Sequence, residues 1–358
     1  GGDGDDLFDI GNSVSGNYEL FGESGDDTYR LPLANFDTNT VVDSVGAEND
    51  TLVGLGTDND DVLLVNNDLF VYNGVDVSIF GFDGVERIDF DGLAGNDEFN
   101  IQAIENDTSF LGNDGNDVFN VASDAPLNAG VSTGILGQLT IDGGQGANRL
   151  NVSNQSGGAV DAVVTADQIA GFTAVPIVYA GNFGSAGGNQ GLVLTGSDFG
   201  SDTFDISGLL PGNALLVRGG AGDEIVNVRS GTAGDVVVDG GMGADTVRTS
   251  YGNQPRSVTL LDSGTDDARD RFSIRLSDQG DIAAIAAQQF ELDGNVFAWD
   301  PNLENLVVDS LGGDDRVYVE ANPTRFVRVI LNSGDDMAMV LGNQGIESLR
   351  FDGNEGQD

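Results

Sequence analysis

An all-β chain wound as a parallel β-solenoid, of β-helix or β-roll type, is what the sequence predicts. Three observations carry that expectation: a glycine-aspartate turn that recurs at a near-constant step, an alternating stretch after each turn, and scarce helix signals. The turn opens the chain as Gly1-Gly2-Asp3-Gly4-Asp5-Asp6 and runs into Leu7-Phe8-Asp9-Ile10. It returns from Gly22, Gly92, Gly112, Gly143, Gly219 and Gly240, with weaker copies around Gly200, Gly313 and Gly334. The fourth-position glycines lie at 4 and 25, at 95 and 115, at 200, 222 and 243, and at 313, 334 and 356. Within each run the step is 20 to 22 residues. A coil of about 21 residues fits that step, and stacked coils rise by about 4.8 Å, the spacing of hydrogen-bonded strands.

Within a coil, numbered from the first residue of the turn, position 8 is apolar: Phe8, Tyr29, Phe99, Phe119, Leu150, Phe204, Val226, Val247 and Val317. Position 10 is apolar as well, as in Ile10, Leu31, Ile101, Val121, Val152, Ile206, Val228 and Val319. Position 9 is mostly polar (Asp9, Arg30, Asn100, Asn120, Asn151, Asp205, Asn227 and Arg248). Period-two alternation turns positions 8 and 10 inward and position 9 outward, where a substitution such as Asn120→Ala is expected to cost little. A second alternating stretch leads into each turn, for example Gln138-Leu139-Thr140-Ile141-Asp142 and Asp235-Val236-Val237-Val238-Asp239. The stretch 281–289, Asp-Ile-Ala-Ala-Ile-Ala-Ala-Gln-Gln, is the one place where a short helical piece or a loop is expected.

Longer intervals carry a second theme. Val71-Tyr72-Asn73-Gly74, Val178-Tyr179-Ala180-Gly181 and Val296-Phe297-Ala298-Trp299 each precede a turn whose fourth position is Gly95, Gly200 or Gly313. The super-period is therefore 105 and then 113 residues. Tandem super-repeats follow: 1–91 as a partial one, 92–195, 196–309, and the start of another at 310–358. Each holds short coils and one expanded segment, in which added strands or a hairpin are expected. Both ends fall inside turn motifs, so the chain is expected to be a window of a longer array, its open strand edges favouring end-to-end association.

Composition narrows the chemistry. Asp and Glu number 59 against 14 basic residues, all of them Arg, for a formal net charge of -45. Such self-repulsion opposes compaction unless counter-ions bind, and it disfavours nucleic acid as a partner. Yet 39% of the residues are hydrophobic, which is not the profile of a disordered chain. Lacking Cys, His and Lys, the chain has no thiolate, imidazole or Schiff-base chemistry and no ordinary zinc site. It contains no apolar run long enough for a membrane span.

The turn Gly1-Gly2-Asp3-Gly4-Asp5-Asp6-Leu7-Phe8-Asp9 resembles the nonapeptide of the haemolysin-type (RTX) calcium-binding repeat, with close matches at Gly219 and Gly240. The alternation with expanded segments is similar to giant repetitive bacterial surface and matrix proteins. The resemblance implies calcium (Ca2+) held by turn carbonyls and position-6 acids of neighbouring coils. Those acids are Asp6, Asp27, Asp97, Asp117, Asp202, Asp245, Asp315 and Asp336, with Glu224 as a longer substitute. Asn148 departs from the pattern at the Gly143 turn. Family repeats follow one another in nines, whereas here one turn occurs per coil, so ions are expected along one side only. Repetition of Asp26-Asp27 and Asp314-Asp315 across coils points to structure rather than to a catalytic pair. Tyr18, Tyr72, Tyr179, Tyr251 and Trp299 are read as packing or as sugar contacts. Outward arginines (Arg30, Arg248, Arg316) and those near super-repeat junctions (Arg87, Arg269, Arg271, Arg275) either bridge neighbouring coils or rods or are plain surface. The expected role is an extracellular, calcium-stabilised structural segment of a fibre, matrix or adhesin shaft. It is not an enzyme on this reading, and its partners are calcium and neighbouring repeats, lateral or end-to-end. The alternative is a carbohydrate-active or carbohydrate-binding parallel β-helix module.

Overall fold

The structure, a computed structural model, describes residues 1–11, 19–34, 40–42, 48–67, 69–77, 84–184, 191–251, 256–264, 268–320, 324–342 and 345–355. Tyr18 and the turn glycine Gly356 lie outside the described residues. No α-helix forms among them, so none is long and apolar enough to cross a membrane. The fold is all-β, with ladders of parallel strands as in a β-solenoid. The chain divides into two compact units, Gly1–Asn154 with Asp167–Gly191, and Gln155–Ala166 with Leu192–Asp358.

In the first unit one parallel ladder runs through Leu7–Asp9, Thr28–Pro32, Asp50–Leu55, Val85–Asp91, Asp107–Leu111, Leu139–Asp142 and Ile177–Ala180. A second runs through Val62–Asn66, Glu98–Ala103, Val118–Val121 and Arg149–Ser153. Equivalent motif positions pair directly, as in Phe99↔Phe119 and Phe119↔Leu150. Their rings stack: Phe99 on Phe119 and Phe90 on Phe110 both have centroids 5.1 Å apart. Aromatic burial of this kind adds about 0.5–1.5 kcal/mol per pair beyond the area removed from water.

In the second unit the ladder Leu192–Thr195, Ala214–Ala221, Asp235–Met242, Ser257–Leu261 and Asn295–Trp299 leads into the turns. A longer one follows them: Asp161–Val164, Thr203–Ile206, Ile225–Val228, Thr246–Ser250, Arg271–Arg275, Asn305–Asp309, Phe326–Ser333 and Ser348–Glu355. Ile282–Ile285, Arg316–Val319 and Met337–Val340 make a third. The expected helix or loop over 281–289 is instead strand. Ala283 and Ile285 are fully buried while Ile282 is exposed, so the stretch has period two and pairs with Arg316–Val319. Lateral pairing in the stack outweighs alanine's helix preference.

The expanded segments form hairpins, as expected. Val62–Asn66 pairs antiparallel with Leu69–Tyr72, Gln168–Ala170 with Ile177–Ala180, and Gln289–Leu292 with Asn295–Trp299. Tyr72, Tyr179 and Trp299 are buried in them, which makes these aromatics packing groups. The Tyr72 hydroxyl also donates to Asp61 Oδ1 at 2.7 Å and pins its hairpin to a turn.

Positions 8 and 10 line the core, and one outward expectation fails at position 9. Asn100, Asn120 and Asn151 are buried. Asn120 Nδ2 donates to Asn100 Oδ1 at 3.0 Å, and Asn151 Nδ2 donates to Asn120 Oδ1 at 2.7 Å. Asn128, in the long connection after Val118–Val121, covers the column and donates to Asn120 Oδ1 at 2.8 Å. Asn120→Ala is therefore expected to cost about 1–3 kcal/mol by stranding buried amides on both sides. Thermal melting checks this, and a change below about 0.5 kcal/mol would overturn it.

Candidate functional site

Where a turn carries both glycines, they are required for different reasons. Position 4 needs positive φ, as at Gly95 (φ 123) and Gly243 (φ 124). Position 1 is held by sterics: a Cβ on Gly92 would lie 2.3 Å from Asp97 Oδ2, and one on Gly112 would lie 2.2 Å from Asp117 Oδ2. The position-6 carboxylate thus fills the space that the first glycine leaves.

The first carboxylate oxygen has a fixed job, which is to accept the position-6 amide of the preceding coil. Asp6 N donates to Asp27 Oδ1 (2.7 Å), Asp27 N to Asp50 Oδ1 (2.7 Å), and Asp50 N to Glu86 Oε2 (2.9 Å). On a second edge of the same unit, Asp61 N donates to Asp97 Oδ1 (2.9 Å), Asp97 N to Asp117 Oδ1 (2.9 Å), and Asp117 N to Asn148 Oδ1 (2.8 Å). The second unit repeats this. Glu224 N donates to Asp245, Asp245 N to Asp270 and Asp270 N to Glu304, and separately Asp281 N donates to Asp315 and Asp315 N to Asp336. In each unit the ladders thus occupy two edges rather than the expected one. The chain changes edge where one strand, such as Asp50–Leu55 or Arg271–Arg275, both leaves one turn and enters the next.

Position 5 carries a second, exposed ladder that runs the other way. Asp26 N donates to Asp5 Oδ1 (3.0 Å), Asn116 N to Asn96 Oδ1 (2.9 Å) and Asp335 N to Asp314 Oδ1 (3.0 Å). Neighbouring acids such as Asp26-Asp27 therefore reach in opposite directions along the stack. Both ladders satisfy amides that coil stacking would otherwise leave without acceptors.

The second carboxylate oxygen distinguishes two kinds of turn. In three turns the amide of a Ser or Thr four or five residues earlier satisfies it locally: Thr57 N donates to Asp61 Oδ2 (2.7 Å), Ser197 N to Asp202 Oδ2 (2.6 Å) and Ser277 N to Asp281 Oδ2 (2.8 Å). In the other kind, Asp27, Asp97, Asp117 and Asp336 hold Oδ2 buried with no hydrogen-bond partner. Asn148 shows what that place requires. Its Nδ2, packed against Gly143 as the Oδ2 atoms are packed against their glycines, donates to Gly143 O (2.7 Å) and Gln145 O (3.0 Å). A carboxylate oxygen there faces acceptors, so it needs a proton or a cation.

The electrostatics agree. Burial pushes Asp97 up to about 7, with the neighbouring Asp117 and Asp61 charges adding to the shift. Burial likewise raises Asp270 to about 7 and Glu224, beside Asp245, to about 9. Asp117, Asp202 and Asp315 are raised by the same cause.

A hard cation fits this donor set. Calcium accepts carboxylate and main-chain carbonyl oxygens in irregular arrangements, and the orphaned oxygens of Asp27, Asp97 and Asp117 sit against Gly22, Gly92 and Gly112. Among the described residues no three acidic side chains converge, so main-chain carbonyls would supply most ligands. Asp27, Asp97 and Asp117 fit best as the holding side chains, and Asp336 shares their orphaned oxygen with Leu331 in place of the first glycine. Asp202, with both oxygens taken by the amides of Ser197 and Val160, does not share their orphaned oxygen. Asp6 is half-buried at the first coil.

Sequence reading missed Asp50, Asp61, Asp270, Asp281, Glu86 and Glu304 as ladder members. All of these turns except that of Glu86, which has Gly84, lack glycine at position 4. The surviving signal is an acid two residues before an inward apolar residue, as in Asp61-Val62-Leu63 and Asp270-Arg271-Phe272. Compared with known protein-family models and with curated proteins, the chain has no match.

Proposed function

We propose that the chain is a structural segment of an extracellular, calcium-stabilised repetitive shaft, of fibre, matrix or adhesin type. The observation that supports this best is coil-for-coil equivalence. Core residues, turn glycines and ladder acids recur in direct register, as in Phe99↔Phe119 and Phe204↔Val226. Repetition in register suits load-bearing, because each coil is held to the next by a row of main-chain bonds plus two side-chain ladders. Calcium of the outside world, at about 0.1–1 mM, matches the affinity of extracellular oxygen-ligand modules.

Stretching single molecules in an optical trap tests the reading. Coils that peel one at a time release about 21 residues each, about 7 nm of contour length at about 3.4 Å per residue. Steps of that size are expected from the short coils, and longer ones from the expanded coils, such as the one in which Leu52 pairs with Ile88. One all-or-none release, or steps unrelated to the coil length, would overturn it.

A further inference from the structure

The second unit carries one feature that does not repeat. On the outer face of Thr246–Ser250, Arg271–Arg275 and Asn305–Asp309, four arginines surround a groove of about 310 Å³: Arg229, Arg248, Arg271 and Arg275. The short side chains of Ser250 and Ser273 and the buried Val307 line it between the arginines. Asp205 holds Arg229 at 2.5 Å, and Asp309 lies 3.8 Å from Arg275. Arg248 and Arg271 have no carboxylate within ion-pair reach among the described residues; Arg271 Nε donates to Ser273 Oγ at 3.0 Å. In a chain with a net charge of -45, two uncompensated guanidinium groups on one concave face are exceptional.

A second observation points the same way. Arg256 is only 4% exposed, and its Nε has no hydrogen-bond partner. Its NH1 and NH2 groups donate to the carbonyls of Arg229 and Ser250, two groove residues, and to Thr232 O and Thr249 Oγ1. A buried positive charge paired only with neutral acceptors adds its field to the groove wall.

We infer that this groove binds a carboxylate-bearing sugar unit of an acidic glycan. Arg248 and Arg271 supply forked donors for the carboxylate. Ser250, Ser273 and Asn227 offer neutral hydrogen-bonding groups, and Asp309 an acceptor, for sugar hydroxyls. A bare inorganic anion has no use for acceptors, and an acidic protein edge has few hydroxyls to meet them. The volume suits one or two sugar units. This site is independent of the shaft reading, since a shaft without it still peels coil by coil.

Calorimetric titration of the full chain with trigalacturonate, and with the neutral galactose trisaccharide, tests the inference. Trigalacturonate is expected to bind, and the neutral sugar at least about tenfold more weakly. The double variant Arg248→Gln/Arg271→Gln should lose about tenfold or more in affinity at an unchanged melting temperature, because both side chains are exposed. Arg248→Lys, which keeps the charge and loses the fork, should fall between. Arg30→Gln, in the other unit, should change nothing. Absence of binding, equal binding of the neutral sugar, or full binding by the double variant would each overturn the inference. So would sedimentation showing that the two arginines instead hold two copies of the chain together.

Discussion

Asp117→Ala is expected to destabilise the first unit by about 3 kcal/mol, while Asp117→Asn leaves it as stable as the parent chain in chelator, or more so. The alanine strips the buried Asp97 amide of its acceptor, a contact of 2.9 Å, and opens a void beside Gly112. A stranded buried donor costs about 1–3 kcal/mol, and the void adds to it. Asparagine keeps the acceptor and turns the orphaned oxygen into a donor, as Asn148 already does one coil later. On the calcium proposal the exchange also removes a ligand, so calcium should stabilise Asp117→Asn less than it does the parent. Urea unfolding with and without calcium measures both. If alanine and asparagine behaved alike, the two-oxygen account of the ladder would be wrong.

In chelator, stability should fall steeply as pH rises. Asp97 and Asp270 stand near 7 and Glu224 near 9 in the folded chain, all raised by burial, against about 4 for exposed carboxyls. The folded state then binds more protons than the unfolded one between those values, so unfolding becomes easier as pH increases. The contribution is whole below about pH 4 and is lost as pH climbs through 7 for the two aspartates and through 9 for Glu224. Each unit of upward shift corresponds to about 1.4 kcal/mol, so the combined loss amounts to several kcal/mol. Asp205, lowered by its hydrogen bonds from Arg229, works in the opposite sense, and its contribution fades as pH falls below the usual carboxylate range. In chelator the melting temperature should therefore be highest near pH 5 and drop toward pH 9. Calcium should flatten the slope, because a cation bound only to the folded state replaces the missing protons by mass action. Circular-dichroism melts at pH 5, 7 and 9 decide the matter: a chelated chain most stable at pH 9 would overturn both the ladder electrostatics and the calcium reading.

The ladder also explains how much of the site the sequence disclosed. Gly92 and Asp97 are visible as a spaced pair, but the reason for the spacing, a carboxylate occupying the place of a glycine Cβ, needs coordinates. Asp61 and Asp270 escaped notice because the turn around each lacks the position-4 glycine that made the others conspicuous. Asn120 was misread for a different reason. Alternation tells which way a side chain points from its own strand, not whether a residue of the following connection, such as Asn128, will fold back to cover it.

What the sequence determined by itself was whatever depends on local repetition: the all-β class, the coil length, the inward Phe, Val and Ile columns and the hairpins of the expanded segments. Those follow from period-two patterning and from turn residues whose backbone preferences act over a few positions. Only the tertiary structure decided that acid ladders run on two edges, that 281–289 holds a strand rather than a helix or loop, and that four arginines separated by up to 46 residues share a groove. Each of these depends on which coil lies beside which, and stacking brings together residues that no local pattern relates.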